Sequence, residues 1–178
     1  TIGYRTNKMY WGWKSNFVSN DYNPSIGFVY QNNVIQHNPG GYFILRPKKM
    51  PWIRRWDPGL FFKYYHDFKN PEKFQQASLY LFPIYVFFKD NSFIEYAITP
   101  TWQNIDFDFT PLGISIPQKY YYYTRQLVRY NSDRSKKFSL SGKYEWGKFY
   151  NGNRNTLTFG ARYSPIPNIS FSSDYEHN

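Results

Sequence analysis

Three histidines, His37, His66 and His177, are the side chains best suited to moving a proton or holding a metal. None has a companion at metal-ligand spacing, so they read as polar residues of an interface or a lumen, and no metal or cofactor is expected. Asp106 and Asp108 in "IDFDF" are expected on one face of a strand. A calcium site or an acid/base pair is conceivable there, but carboxylates facing basic neighbours are the preferred reading. There is no Gly-x-Ser-x-Gly, no phosphate-binding loop and no nucleophile beside a recognisable base, so an enzyme is not expected. The three-residue sequon "NIS" (168–170) is too short a pattern to carry weight.

Two groups of charged residues have more to offer. Arg125, Arg129, Lys143, Glu145, Arg162, Asp174 and Glu176 fall at alternate positions of successive segments, so all would point to one side. Cross-strand ion pairs that fill or wet a lumen are the preferred reading; the rival is a pore biased toward anions. The second group is "RPKKMPWIRRWDPG" (46–59). In an extended chain Trp52, Arg54 and Trp56 share a side and Arg55 takes the other. That face suits a membrane interface, with indoles at headgroup level and a guanidinium on a lipid phosphate. Stacking on nucleic acid is the weaker alternative, because the remaining basic residues are scattered.

These placements require long strands, and the composition agrees. The chain has 178 residues, a net charge of +10 and no cysteine. Aromatics make up 24%, yet mean hydropathy is low. Disordered chains lack aromatics. No run approaches the ~18 apolar residues of a membrane helix. Low hydropathy with many rings suits an all-β protein in which every second residue is apolar.

Segments 138–149, 156–164 and 168–176 alternate plainly, at about the 9–11 residues that cross a bilayer as tilted β. "YNGNRN" (150–155) carries an Asn-Gly turn signal, and "SPIPN" (164–168) places two prolines in a turn. Upstream, 8–19, "GYFILRP", "GLFFKYYHDF", 92–102 and 120–130 are strands, and "GFVYQNNVIQ" is a weaker one. "NDYNPSIGF" reads as a loop and "NPGG" as a turn. "SLYLFPIYVFF" (78–88) is apolar on both faces, as if a plug or neighbouring segment covers it. The phase of alternation flips near Gln103–Asn104, where a bulge or loop is expected. Roughly eight to ten strands and no helix are expected, in one unit over 1–178.

"GISIPQKYYYYTRQLVRYNSDRSKKFSLSG" and "YEWGKFYNGNRNTLTFGARYSPIPNISFSSDYEHN" together resemble the C-terminal β-barrel region of large uncharacterised outer-membrane proteins of Bacteroidota. That family joins the barrel to an N-terminal carbohydrate-binding family-9-like module. The matching features are Gly147 to Gly152, Pro165 to Asn168, the closing Tyr-Glu-x-Asn, and "DYNPSIGFVYQ" upstream. The module itself is not in this sequence, so no sugar specificity follows.

The expectation is an antiparallel meander of long amphipathic strands, part of a transmembrane β-barrel of the Gram-negative outer membrane. "DYEHN" lacks the closing aromatic usual in such barrels, so a piece of a longer barrel is expected. Its role would be a pore for surface transport, an anchor, or a component of a larger envelope complex. Expected partners are membrane lipid and lipopolysaccharide, the rest of its own barrel or other outer-membrane proteins, and no nucleic acid. The alternatives are a secreted carbohydrate-binding β-sandwich with a sugar-stacking aromatic face and, more weakly, a hydrolase using Asp106 and Asp108.

Overall fold

The computed structural model describes residues 1–19, 33–108, 110 and 113–178. The described residues form one antiparallel sheet and no helix. Its strands are β1 (Ile2–Arg5), β2 (Met9–Val18), β3 (Val34–Phe43), β4 (Ile53–Trp56), β5 (Gly59–Asp67), β6 (Phe74–Phe88), β7 (Phe93–Asn104), β8 (Tyr120–Asn131), β9 (Phe138–Phe149), β10 (Gly152–Ile166) and β11 (Ile169–His177). Each strand follows its sequence neighbour across the sheet, with one exception. β4 pairs with β6 just beyond β5, so β4 and β5 act as one strand broken at Asp57–Pro58. The sheet is not closed, since β1 and β11 lie at its two edges. Extensive contact is confined to hydrogen-bonded neighbours, so no second layer faces the sheet among the described residues.

Sequence alternation therefore becomes two faces. Pairing in register keeps Leu157, Phe159, Ala161 and Tyr163 of β10 beside Tyr144, Gly142, Leu140 and Phe138 of β9. Thr156, Thr158, Gly160 and Arg162 lie beside Glu145, Lys143, Ser141 and Ser139 on the other face. The same phase carries through β8 and β7. The three strands expected in 138–176 are present as β9, β10 and β11, but β10 runs from Gly152 to Ile166 and takes in most of the expected turns at 150–155 and 164–168. The hairpin between β9 and β10 turns on Tyr150 and Asn151, one residue before the expected Asn-Gly. Tyr150 takes φ 52°, a conformation more often filled by glycine or asparagine.

Several expectations need correction. "NPGG" is not a turn: Asn38, Pro39, Gly40 and Gly41 run through β3, paired with β2, and Gly40 and Gly41 also pair with β5. The glycines are there because the neighbours come close. A Cβ on Gly40 would lie 2.5 Å from the Leu60 carbonyl oxygen, and one on Gly41 would collide with the Tyr10 carbonyl oxygen. The described residues hold eleven strands, because the short β1 and β4 add to the long ones. "NDYNPSIGF" and most of "GFVYQNN" lie outside the described residues. The phase flip is a loop: β7 ends at Asn104, and Asp106 and Asp108 follow it outside any strand.

No separate plug covers β6 among the described residues. On its polar face Tyr80, Phe82, Tyr85 and Phe87 pack on one another and on Phe61 and Phe93. The Arg55 guanidinium lies 4.6 Å over the Phe87 ring and pairs with the buried Asp57 at 2.7 Å. Pro83 sits where the β6–β7 register shifts, a position at which its missing N–H breaks no ladder bond. Its carbonyl accepts the Trp56 indole N–H at 2.8 Å.

Close packing at β3 generates a prediction. Gly41→Val must push β2 away and is expected to destabilise the sheet by about 1–3 kcal/mol. Gly142→Val, where a Cβ meets nothing within 4 Å, should be nearly neutral. Urea unfolding midpoints of the two variants compare them; equal midpoints would refute the close-approach account.

Candidate functional site

The polar face carries the densest set of titratable groups. Glu95 of β7 is its centre. Its side chain is only 3% exposed, accepts from the Tyr80 hydroxyl and forms an ion pair with Arg129 of β8. Register accounts for the meeting, because Glu95 and Arg129 are directly paired across β7 and β8. The guanidinium of Arg129 also lies 5.5 Å from the Phe93 ring. One strand on, Arg125 donates to Glu145 of β9 at 2.7 Å and lies 5.7 Å from the Phe149 ring.

All seven charged residues read from the sequence, Arg125, Arg129, Lys143, Glu145, Arg162, Asp174 and Glu176, occupy positions of this one face. Only Arg125 and Glu145 pair with each other. Arg129 takes Glu95, a partner the sequence reading missed, and in register it stands beside Lys143, a like charge. Among the described residues, Lys143, Arg162, Asp174 and Glu176 join no salt bridge. The expected ladder of ion pairs is thus two pairs and a set of unpaired charges. The reason is register: Arg162 stands between Ser139 and Ser172, Asp174 beside Gly160, and Glu176 beside Thr158. Gly160 leaves the room that the Asp174 carboxylate and Ser141 hydroxyl occupy.

Several buried polar atoms of this face have no protein partner. They are the Nε atoms of Arg55, Arg125 and Arg129 and one oxygen of Asp57, and they call for water. A depression of 450 Å³ crosses β5 to β8, with Lys63, Gln76, Ser78, Thr99, Thr101 and Arg125 in its wall. At the rim of the β7–β8 loop the same face is closed differently. There Ile116 packs on Tyr121 and Tyr123, with Ile105, Phe149 and Tyr150 around them.

The Trp52, Arg54 and Trp56 patch lies at the opposite rim. A register shift between Ile53 and Arg55 breaks the simple alternation that put the three on one side. Trp56 stands beside Val86 on the apolar face, and Trp52, 57% exposed, stacks on Phe88 at 5.7 Å. Arg54 reaches sideways to Asn91 at 2.8 Å, and Asn91 donates in turn to Asp133 at 3.3 Å. The patch thus ties two neighbouring hairpin loops together. In those loops the Asp90 and Asp133 carboxyls are held below their ordinary range by hydrogen bonds from Ser92 and Ser135.

Asp106 and Asp108 do not form a pair. Asp106 bridges to Lys73 at 2.7 Å, and Asp108 accepts the backbone N–H of Gln118. Their expected shared face does not exist because the segment is a loop. Of the histidines, His177 stands in the exposed edge strand β11. His37 and His66 do meet, contrary to the sequence reading, with Nε2 atoms 3.3 Å apart. Their separation of 29 positions hid this. Neither family models nor curated proteins nor solved structures gave a match to this chain.

Removing Arg129 strands a buried carboxylate. Arg129→Leu is expected to cost about 3 kcal/mol, the low end for a buried pair because Arg129 is itself 40% exposed. Arg162→Leu should cost under about 0.5 kcal/mol. Equilibrium unfolding of both variants measures the difference, and equal losses would remove Glu95 from the centre of the network.

Proposed function

We propose that the sheet is part of the wall of a Gram-negative outer-membrane β-barrel, with its apolar face toward lipid and its polar face toward a water-filled lumen. The observation that carries this reading is the apolar face itself. Across β7 to β11 it presents Ile94, Trp102, Tyr122, Tyr144, Phe159 and Phe171 among other large side chains, and apart from Lys148 near the end of β9 it bears no formal charge. Phe171 is 64% and Tyr122 58% exposed. Soluble monomers rarely expose contiguous apolar patches beyond a few hundred Å². Strand length supports the same reading. β7, β8 and β9 have 12 residues each, and 12 residues at about 3.3 Å, tilted by about 45°, cover about 28 Å. That is close to the apolar band of such barrels, about 25 Å tall.

The wall reading implies partners. Unpaired edges cannot sit in lipid, because their amides would be unsatisfied. β1 and β11 would each pair with further strands, from the rest of its own barrel or from another outer-membrane protein. Trp52 and Trp56 at one rim would contact lipid headgroups or lipopolysaccharide, with Arg54 serving the loops instead of a phosphate. The role is that of a scaffold or pore for surface transport, anchoring or a larger envelope complex, without catalysis. The resemblance to barrels carrying a carbohydrate-binding family-9-like module agrees with this. A soluble sugar-binding sandwich is the poorer fit, because it requires a second facing sheet.

Depth-dependent substitution tests the wall. Phe159→Arg and Leu140→Arg should each impair insertion into bilayers by about 2–4 kcal/mol if near the midplane, whereas Thr158→Arg, on the polar face, should be tolerated. Folding titrations into liposomes give the comparison. Equal effects on both faces would refute a lipid-facing wall.

A further inference from the structure

The contact between His37 and His66 has a geometry that ordinary surface histidines lack. His37 lies in β3 and His66 in the neighbouring β5. In register His37 faces Tyr64 and His66 faces Ile35, so the imidazoles meet on a diagonal. The Nε2 atoms are 3.3 Å apart, with ring centroids at 5.4 Å and planes 21° from parallel. The Nδ1 of His66 is 3.0 Å from the Asp67 carbonyl oxygen. A carbonyl only accepts, so this nitrogen carries the proton. In that tautomer the uncharged ring of His66 turns its Nε2 lone pair toward His37. On the far side, Nδ1 of His37 is 2.8 Å from the Ser15 hydroxyl, which can either donate or accept.

We propose that His37 and His66 form a two-imidazole site for a divalent transition-metal ion of the zinc or copper type, with water in the remaining positions. Zinc–nitrogen bonds of ~2.0–2.1 Å in a tetrahedron place two ligand nitrogens about 3.3–3.4 Å apart. The second nitrogen of each ring is held by a protein oxygen, as metal-bound imidazoles usually are. Without metal, the His37 Nε2 proton fills the gap and Ser15 donates to Nδ1. With metal, that proton moves to Nδ1 and Ser15 accepts it. The ion thus replaces one hydrogen bond through a tautomer change, with no movement of the chain.

The site offers two protein ligands. No group of three or more His, Cys, Asp or Glu side chains gathers among the described residues. The Asp67 carboxylate already accepts from the Asn33 side chain and the Lys69 and Asn70 amides. Trp13 stands edge-on to His37, and Tyr64 tilts against His66, which is buried. These rings fix the imidazoles before an ion arrives. By register the pair stands on the apolar face, at the end of β5 and so at its rim, where water can reach an ion; the inference stands on this local geometry whether or not that face meets lipid.

Copper(II) titrated into the full chain in detergent, followed by pulsed electron paramagnetic resonance, counts the coordinated imidazoles. One equivalent should show two. His177→Gln should leave that signal unchanged. His37→Gln or His66→Gln should abolish the two-imidazole signal and weaken binding tenfold or more. Ser15→Ala should keep both imidazoles and weaken binding by about tenfold. One or no imidazole in the unaltered protein overturns the proposal, even if the variants fail to fold. So does a two-imidazole signal that survives loss of His37 and His66 together, or one that vanishes with His177.

Discussion

Hydrogen bonding between neighbouring strands is what joins this sheet, and no second layer of strands or helices among the described residues packs behind it. A one-layer sheet has no interior of its own. Each face must meet its own surroundings, and each residue is committed to one face by the two-residue period of a strand. That constraint organises the molecule. From β7 to β11 one side is built almost wholly of uncharged rings and aliphatic side chains, while the other also holds ring clusters of its own. Charges, hydroxyls and amides accumulate on the other, where buried guanidinium nitrogens still lack protein partners.

Register then decides the chemistry within each face. Glu95 meets Arg129 because β7 and β8 pair without slippage over their whole length. A slip of one residue would carry Glu95 to the apolar side and leave it without a counter-ion. Two of the irregularities fall where β6 passes from one partner to another. The β6–β7 register shifts beside Pro83, and the strand before β6 is broken at Asp57–Pro58. At that break the buried Asp57 pairs with Arg55, whose guanidinium lies over the Phe87 ring. The apolar run of 78–88 is explained there: one of its faces packs on its own rings.

Alternation was legible in the sequence where it was strict. The strands of 138–176, their faces and their antiparallel hairpins follow from periodicity and turn residues. Asn38 to Gly41 were misread because asparagine, proline and glycine are turn residues by local propensity. Here strand proximity overrides that preference, since only glycine fits against Tyr10 and Leu60. Asp106 and Asp108 were misread because an alternating pentapeptide looks like a strand when its ends are unknown. The pairings Arg129–Glu95 and His37–His66 were out of reach. They depend on which strands are neighbours and on register, and both are set by turns and bulges elsewhere in the chain. The charged face could be assigned, but its individual pairs could not.

The central claim is that two solvents meet across one layer of backbone. Spin labels placed singly from 156 to 163 in β10, in protein reconstituted into liposomes, report contact with oxygen dissolved in lipid against a water-soluble nickel chelate. The account predicts a strict two-residue alternation, with oxygen favoured at 157, 159, 161 and 163 and the chelate at 156, 158, 160 and 162. Uniform access by the chelate at all eight positions would contradict it.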